Sequence, residues 1–290
     1  MITAQEFVAH MESALSRFYK ETLKSSTVMW HKRNSGDTIS GSGFAKCLRL
    51  CYYRWFDKDR EHKDPAFGDT LDIKSQRNMF HGLMVEDWVI GALKQFGLPG
   101  GSLVHKEQDA PPVVLTDTIT ENGVEITRSA ANDMVVECMD GKDRYYIPFE
   151  CKTTDRTFTS RRPGSAKEWV NPNKWWLEFR GYDDHKRQLM QWIWLAQKNG
   201  MEVPFGILFY QRRGTLETKY IIIAVDASNL ERFAGATEIV DYYMYQDRMN
   251  IRNAEMVNAL GYNVLPPYDH TISKKLCDSC VYQKQCKGER

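Results

Sequence analysis

The chain has 290 residues, with 39 Lys and Arg against 38 Asp and Glu, 42% hydrophobic residues and 12% aromatic ones. Such a length can bury a core without disulfide staples, and the composition excludes a disordered chain, a collagen-like fibre and a small secreted scaffold. The formal net charge of +1 provides no global field for attracting nucleic acid, so a partner of that kind has to be held by local patches.

From the N-terminus, Phe7, Met11, Ala14, Leu15 and Phe18 recur at helical spacing and predict an amphipathic helix over roughly 4–20. No basic stretch leads into an apolar one there, and no apolar run approaches the ~18 residues of a membrane helix, so a cytoplasmic protein without a membrane partner is expected. Further helices are expected at about 43–56, after the Ser40-Gly41-Ser42-Gly43 breaker, and at about 75–96. In the latter, Met79, Leu83, Val85, Trp88, Val89, Ala92 and Phe96 make a broad apolar face. The period then changes. Strands are expected near 124–129, 132–138 and 144–151, the last two joined by a turn at Asp140-Gly141-Lys142-Asp143. A helix over about 183–199, with Asp183 and Asp184 as cap candidates and Gly200 closing it, precedes a second hairpin of about 205–211 and 217–225 around Arg213-Gly214. A long helix is expected over roughly 229–260, before a Cys-rich tail. No repeat or long linker divides the chain, so 1–290 reads as one α/β domain with a mixed sheet. It falls into a helical region over 1–100, an α/β core over 101–228, and a C-terminal helix and tail over 229–290.

Asp133, at the start of one strand, and Glu150-Cys151-Lys152, at the end of the next, carry the sharpest chemical signal. Two residues apart on a strand, Glu150 and Lys152 project from one sheet face and Cys151 from the other. A hairpin brings Asp133 beside them. Two carboxylates held close repel unless a divalent cation neutralises the pair, and hard ions such as Mg²⁺ or Mn²⁺ suit oxygen ligands. Lys152 then stands where it can position a nucleophile or neutralise developing charge. An E-x-K triplet is common by itself, and Asp133 can equally cap a turn. Two features add to the set: His81, a metal-ligating residue type on the 75–96 helix, and Gln188 with Trp192, four apart on one face of the 183–199 helix.

Cys277, Cys280 and Cys286 crowd the C-terminus, and three local thiolates call for a fourth ligand to complete a soft metal centre. Cys47 and Cys51, four apart, can each supply it. Spacing alone leaves zinc in a Cys₄ site open beside an iron–sulfur cluster. Between residues 155 and 180, Arg156, Arg161, Arg162 and Lys174 are interleaved with Phe158, Trp169, Trp175 and Trp176. That pattern suits a single nucleic-acid strand, whose phosphates track cations and whose bases stack on rings. It also suits a surface loop whose tryptophans pack on the core. The G-x-x-x-x-G-K-[ST] pattern of a phosphate-cradling loop and the G-x-S-x-G elbow of a serine hydrolase do not occur.

In this order the two constellations resemble the RecB-like branch of the PD-(D/E)XK nucleases that carry a C-terminal iron–sulfur cluster, most of all the CRISPR-associated RecB-like exonucleases and their phage relatives. The likeness begins at Cys47-Leu48-Arg49-Leu50-Cys51-Tyr52-Tyr53, which is similar to that family's C-x-R-x-x-Y-Y opening, and ends at Cys286. It implies a restriction-endonuclease-like core and Mg²⁺- or Mn²⁺-dependent cleavage of single-stranded DNA from its ends, commonly 5′→3′, with endonuclease activity as an addition. It implies His81, Asp133, Glu150 and Lys152 as the catalytic set, of which His81, Asp133 and Glu150 hold the metal. Gln188 and Trp192 form the helix motif, with Gln188 at the catalytic site. Cys47, Cys277, Cys280 and Cys286 become the ligands of a [4Fe–4S] cluster, the C-x-R spacing favouring Cys47 over Cys51. Arg161, Arg162, Trp175, Trp176 and Trp192 are the expected DNA contacts, and recombination or CRISPR adaptation proteins the expected partners. Trp192 departs from the family's usual Tyr, keeping the ring and losing the hydroxyl. A catalytically silent DNA-binding or structural subunit holding zinc is the alternative from the same residues.

Overall fold

A computed structural model describes residues 2–22, 38–40, 47–56, 73–97, 101–105, 112–154, 172–213, 215–268, 277, 280 and 282–286. Its helices are α1 (Ala4–Thr22), α2 (Leu48–Phe56), α3 (Ile73–Phe96), α4 (Pro172–Glu178), α5 (Asp183–Lys198), α6 (Tyr243–Gly261) and the single turn α7 (Gln283–Cys286). Its strands are β1 (Thr38–Ser40), β2 (Gly101–His105), β3 (Val114–Glu121), β4 (Val124–Ala131), β5 (Met134–Asp140), β6 (Asp143–Thr154), β7 (Phe205–Arg212), β8 (Thr218–Ala224) and β9 (Ala236–Asp241).

A six-stranded sheet of order β2-β5-β6-β7-β8-β9 forms the centre, and β1-β4-β3 form a separate three-stranded sheet. Pairing is parallel at β6–β7 and β8–β9 and antiparallel at β2–β5, β5–β6 and β7–β8, which makes the central sheet mixed as expected. Every residue of β7 is buried, as both faces of this sheet are covered. Successive side chains point to opposite faces, so Ile207 and Phe209 join the core formed by α1 and α3, while Leu208 and Tyr210 join the core that holds α5, α6 and the smaller sheet. At Gly206 a Cβ would lie 3.1–3.2 Å from Leu189, Ile193 and Pro148, so the missing side chain lets α5 settle close onto β7. No described helix is long and apolar enough to cross a membrane.

The turn at 140–143 forms as expected, with Asp140 paired to Asp143 and Gly141 at φ 64°. The hairpin of β7 and β8 also forms where predicted. Two expectations are corrected and one strand is added. The helix predicted from 229 begins only at Tyr243, because residues 236–241 form the edge strand β9, whose alternation is blurred by burying Val240 alone. Asp241 then accepts the Tyr243 N–H at 3.0 Å where α6 starts. Strand β3 adds to the expected strands, and Asn122-Gly123, at φ 48° and 77°, is the two-residue hairpin turn that joins it to β4. Finally, Asp183 and Asp184 do not cap α5; Tyr182 occupies the cap position without a side-chain bond, and both carboxylates lie in the first turn, where the helix dipole favours them.

Candidate active site and thiol cavity

The β5–β6 ladder begins at Met134, which pairs with Phe149, so one step further along sets Asp133 across from Glu150. Both are deeply buried, at 5% and 2% exposure, an expensive location for carboxylates and hence one that needs compensation. Asp133 Oδ2 accepts the backbone N–H of Cys151 at 2.8 Å. Glu150 Oε1 accepts from Gln188 Nε2 at 2.7 Å and pairs with Lys152 Nζ, while its Oε2 is buried and carries no hydrogen bond. The expected convergence of Asp133, Glu150, Lys152 and Gln188 is therefore present. It is made by one hairpin and by the helix that Gly206 admits. Two oxygen-donor side chains with a buried oxygen outside any hydrogen bond are compatible with a hard divalent ion. Among the described residues, however, no group of three or more His, Cys, Asp or Glu is arranged to hold a metal ion.

Cys151 faces the other side of the sheet, within the core formed by α1 and α3. Burial pushes its thiol well above the usual range, and Asp133, Glu86 and Glu150 push it further. Glu86, buried on α3, is a third carboxylate near this strand that the sequence reading did not assign. Its signal was a charge interrupting an otherwise apolar helix face. His81 lies within the span of α3, and its side chain is outside the described residues.

The aromatic assignments change. Trp192 is 0% exposed and donates its indole N–H to the Val113 carbonyl at 3.2 Å, so it anchors α5 to the chain before β3 and offers no face to a base. Trp176, at 4%, stacks on Phe179 at 5.8 Å beneath the Lys219 ammonium and is likewise core. Trp175 is half-buried, 5.0 Å from Phe179. Arg161 and Arg162 lie outside the described residues. Among the described residues, Tyr182 is a ring that faces solvent beside β6, at 39% exposure, its hydroxyl 3.4 Å from Thr154 Oγ1 and its ring edge-on to Phe179 and His185. His185 Nδ1 lies 2.8 Å from the hydroxyl of Tyr210, the residue paired in register with Lys152. Gly181, at φ 79°, makes this approach feasible, because any side chain there would run into Ile221 Cδ1.

At the other end of the described chain, Cys47, Cys277, Cys280 and Cys286 line one cavity of about 210 Å³. Cys51 is not among the lining residues; it is 7% exposed and lies in the apolar core with Leu48. Burial pushes the Cys47 thiol up, and the nearby Cys286 and Cys277 push it further. Thiol donors suit a soft metal centre, whose charge would favour their ionised form; these four line the cavity without forming a metal-holding group as they stand, so a bound group would draw them together. No disulfide joins any of the seven cysteines.

No protein-family model matches the chain, and no curated protein matches it. Thirteen solved chains do match. One, described as "Crystal structure of SSO0001", is 13% identical, with a TM-score of 0.49 over 99% of this chain and 97% of that one. So distant a likeness carries no argument.

Proposed function

We propose that the protein is a metal-dependent deoxyribonuclease of the PD-(D/E)XK type that degrades single-stranded DNA from its ends, 5′→3′, and that Cys47, Cys277, Cys280 and Cys286 hold a structural [4Fe–4S] cluster. The observation that carries the reading is the burial of Asp133 opposite Glu150 with Lys152 on the Glu150 face. A bound Mg²⁺ or Mn²⁺ supplies polarisation of a phosphoryl oxygen and a lowered pKa for water. Asp133 and Glu150 would hold it, the first steadied by the Cys151 N–H and the second by Gln188. Lys152, already paired with Glu150, presents its ammonium where negative charge grows on the scissile group. Tyr182 and Trp175 would supply the rings that stack on bases. The cluster would pin α2 to the C-terminal residues.

The test is to incubate anaerobically purified protein with end-labelled linear and circular single-stranded DNA, with and without Mn²⁺. Mn²⁺-dependent shortening of the linear strand from its 5′ end, with circles untouched or slower, is expected. Absence of cleavage under every metal condition would leave a binding or structural subunit in place of the enzyme.

A further inference from the structure

Arg49, two residues after Cys47 on α2, reaches the C-terminal half of the thiol cavity by three routes. Its Nε donates to the Pro266 carbonyl at 2.9 Å, and its Nη1 donates to the Cys286 carbonyl at 3.2 Å and lies 3.6 Å from Cys286 Sγ. Its guanidinium carbon stands 5.5 Å from the centre of the Tyr268 ring, and the Tyr268 hydroxyl is 3.5 Å from Cys277 Sγ. Among the described residues lining the cavity, Arg49 is the one cation. The planar guanidinium serves two carbonyls, a sulfur and a ring from one fixed fork, whereas a lysine ammonium would concentrate its three donors on a single nitrogen at the end of a flexible stem.

We propose that Arg49 is a positioning residue for the thiol site and that its charge and N–H···S contact set the reduction potential of the group held there. The inference rests on the [4Fe–4S] reading above. Reduction adds one electron, taken from a low-potential donor such as dithionite, to the [4Fe–4S]²⁺ core to form [4Fe–4S]⁺, with no bond made or broken. The four thiolates already make the assembly anionic, so the reduced state concentrates more negative charge. A cation and a donor on Cys286 stabilise that state more than the oxidised one and raise the potential. Tyr268 does the same more weakly at Cys277 and supports the guanidinium with its ring.

The experiment is an anaerobic redox titration of the holoprotein, followed by electron paramagnetic resonance, with dithionite and, below its range, a Eu(II) chelate. It compares the parent chain with Arg49→Gln, Arg49→Lys and Tyr268→Phe, and iron and zinc are measured in each. In Arg49→Gln the reduced-to-oxidised ratio at a fixed ambient potential should fall about tenfold, ~59 mV for one electron. Arg49→Lys, keeping the charge, should fall less, and Tyr268→Phe, losing only the O–H···S contact, least. A loaded Arg49→Gln protein at the parent potential overturns the proposal and leaves Arg49 a structural tie. If Arg49→Gln loses its cluster, parent potentials in both Arg49→Lys and Tyr268→Phe overturn it. A parent cluster that stays oxidised throughout also overturns it. One zinc and no iron in the parent chain overturns the cluster reading itself, an outcome the metal analysis separates from all the others.

Discussion

Glu150 has its Oε1 shared between Lys152 and Gln188, and Asp133 has Oδ2 on the Cys151 amide, so each carboxylate is held by its own partners. Asp133→Ala, Glu150→Ala and Lys152→Ala should each abolish cleavage in the end-labelled assay, a fall of at least ~10²–10³ if each stabilises charge in the transition state. The iron content should not change, since these residues lie outside the thiol cavity. Glu150→Ala protein that cuts at the parent rate would place the site elsewhere. The rings separate in the same way. Trp192→Ala removes a fully buried indole and should cost ~3–5 kcal/mol in chemical denaturation. Tyr182→Ala should cost far less, yet weaken single-stranded DNA binding by ~1–3 kcal/mol in an anisotropy titration. Equal stability losses for the two would remove Tyr182 from the DNA path.

At the scale of elements, α5 is the part on which the site depends. Within two turns it presents Gln188 to Glu150, Gln191 to α6 and Trp192 to the Val113 carbonyl. Gln191 and Asn253 exchange two amide hydrogen bonds, at 3.1 and 3.0 Å, in full burial, and Asn253 also donates to the Met249 carbonyl at 2.8 Å. Trp194 adds a bond to Asn250 at 2.7 Å. Asn253→Leu strands the Gln191 amide without its partner, and leaving such a group unsatisfied costs ~1–3 kcal/mol, readable as a lower urea midpoint. The hydrogen bonds of Asn253 run to Gln191 and Met249, not to the carboxylates, so the surviving folded protein should cut DNA at the parent rate. A large loss of rate with unchanged stability would mean that α6 acts on the site directly.

Across the whole molecule, the cavity joins α2 to residues more than two hundred positions later, with Arg49 as a second tie between the same parts. Binding a metal group that needs all four thiols in place contributes to folding free energy. Cys277→Ala, Cys280→Ala, Cys286→Ala and Cys47→Ala should each bleach the brown absorption near ~400 nm and lower the thermal midpoint, by about 2–4 °C for each kcal/mol lost. Cys51→Ala should keep the colour, because that thiol is in the core. A coloured Cys47→Ala protein beside a bleached Cys51→Ala one would exchange their roles and contradict the geometry.

Local patterns carried much of this. Turn residues between apolar, β-branched and aromatic runs disclose the β5–β6 and β7–β8 hairpins, and the first of them suffices to put Asp133 beside Glu150 and to turn Glu150 and Lys152 to the same face. Helical period likewise discloses α1, α3 and α5. The edge strand β9 escapes because it is too little buried to alternate, and Tyr182 escapes because an aromatic before a helix has no characteristic pattern. The burial of Trp192 and Trp176, and the separation of Cys47 from Cys51, belong to tertiary structure alone. A ring or a thiol on a helix faces ligand or core according to which distant segment packs against it. Here those segments are the chain before β3, the β7–β8 pair and the C-terminal thiols, and no pattern within a few residues encodes where they return.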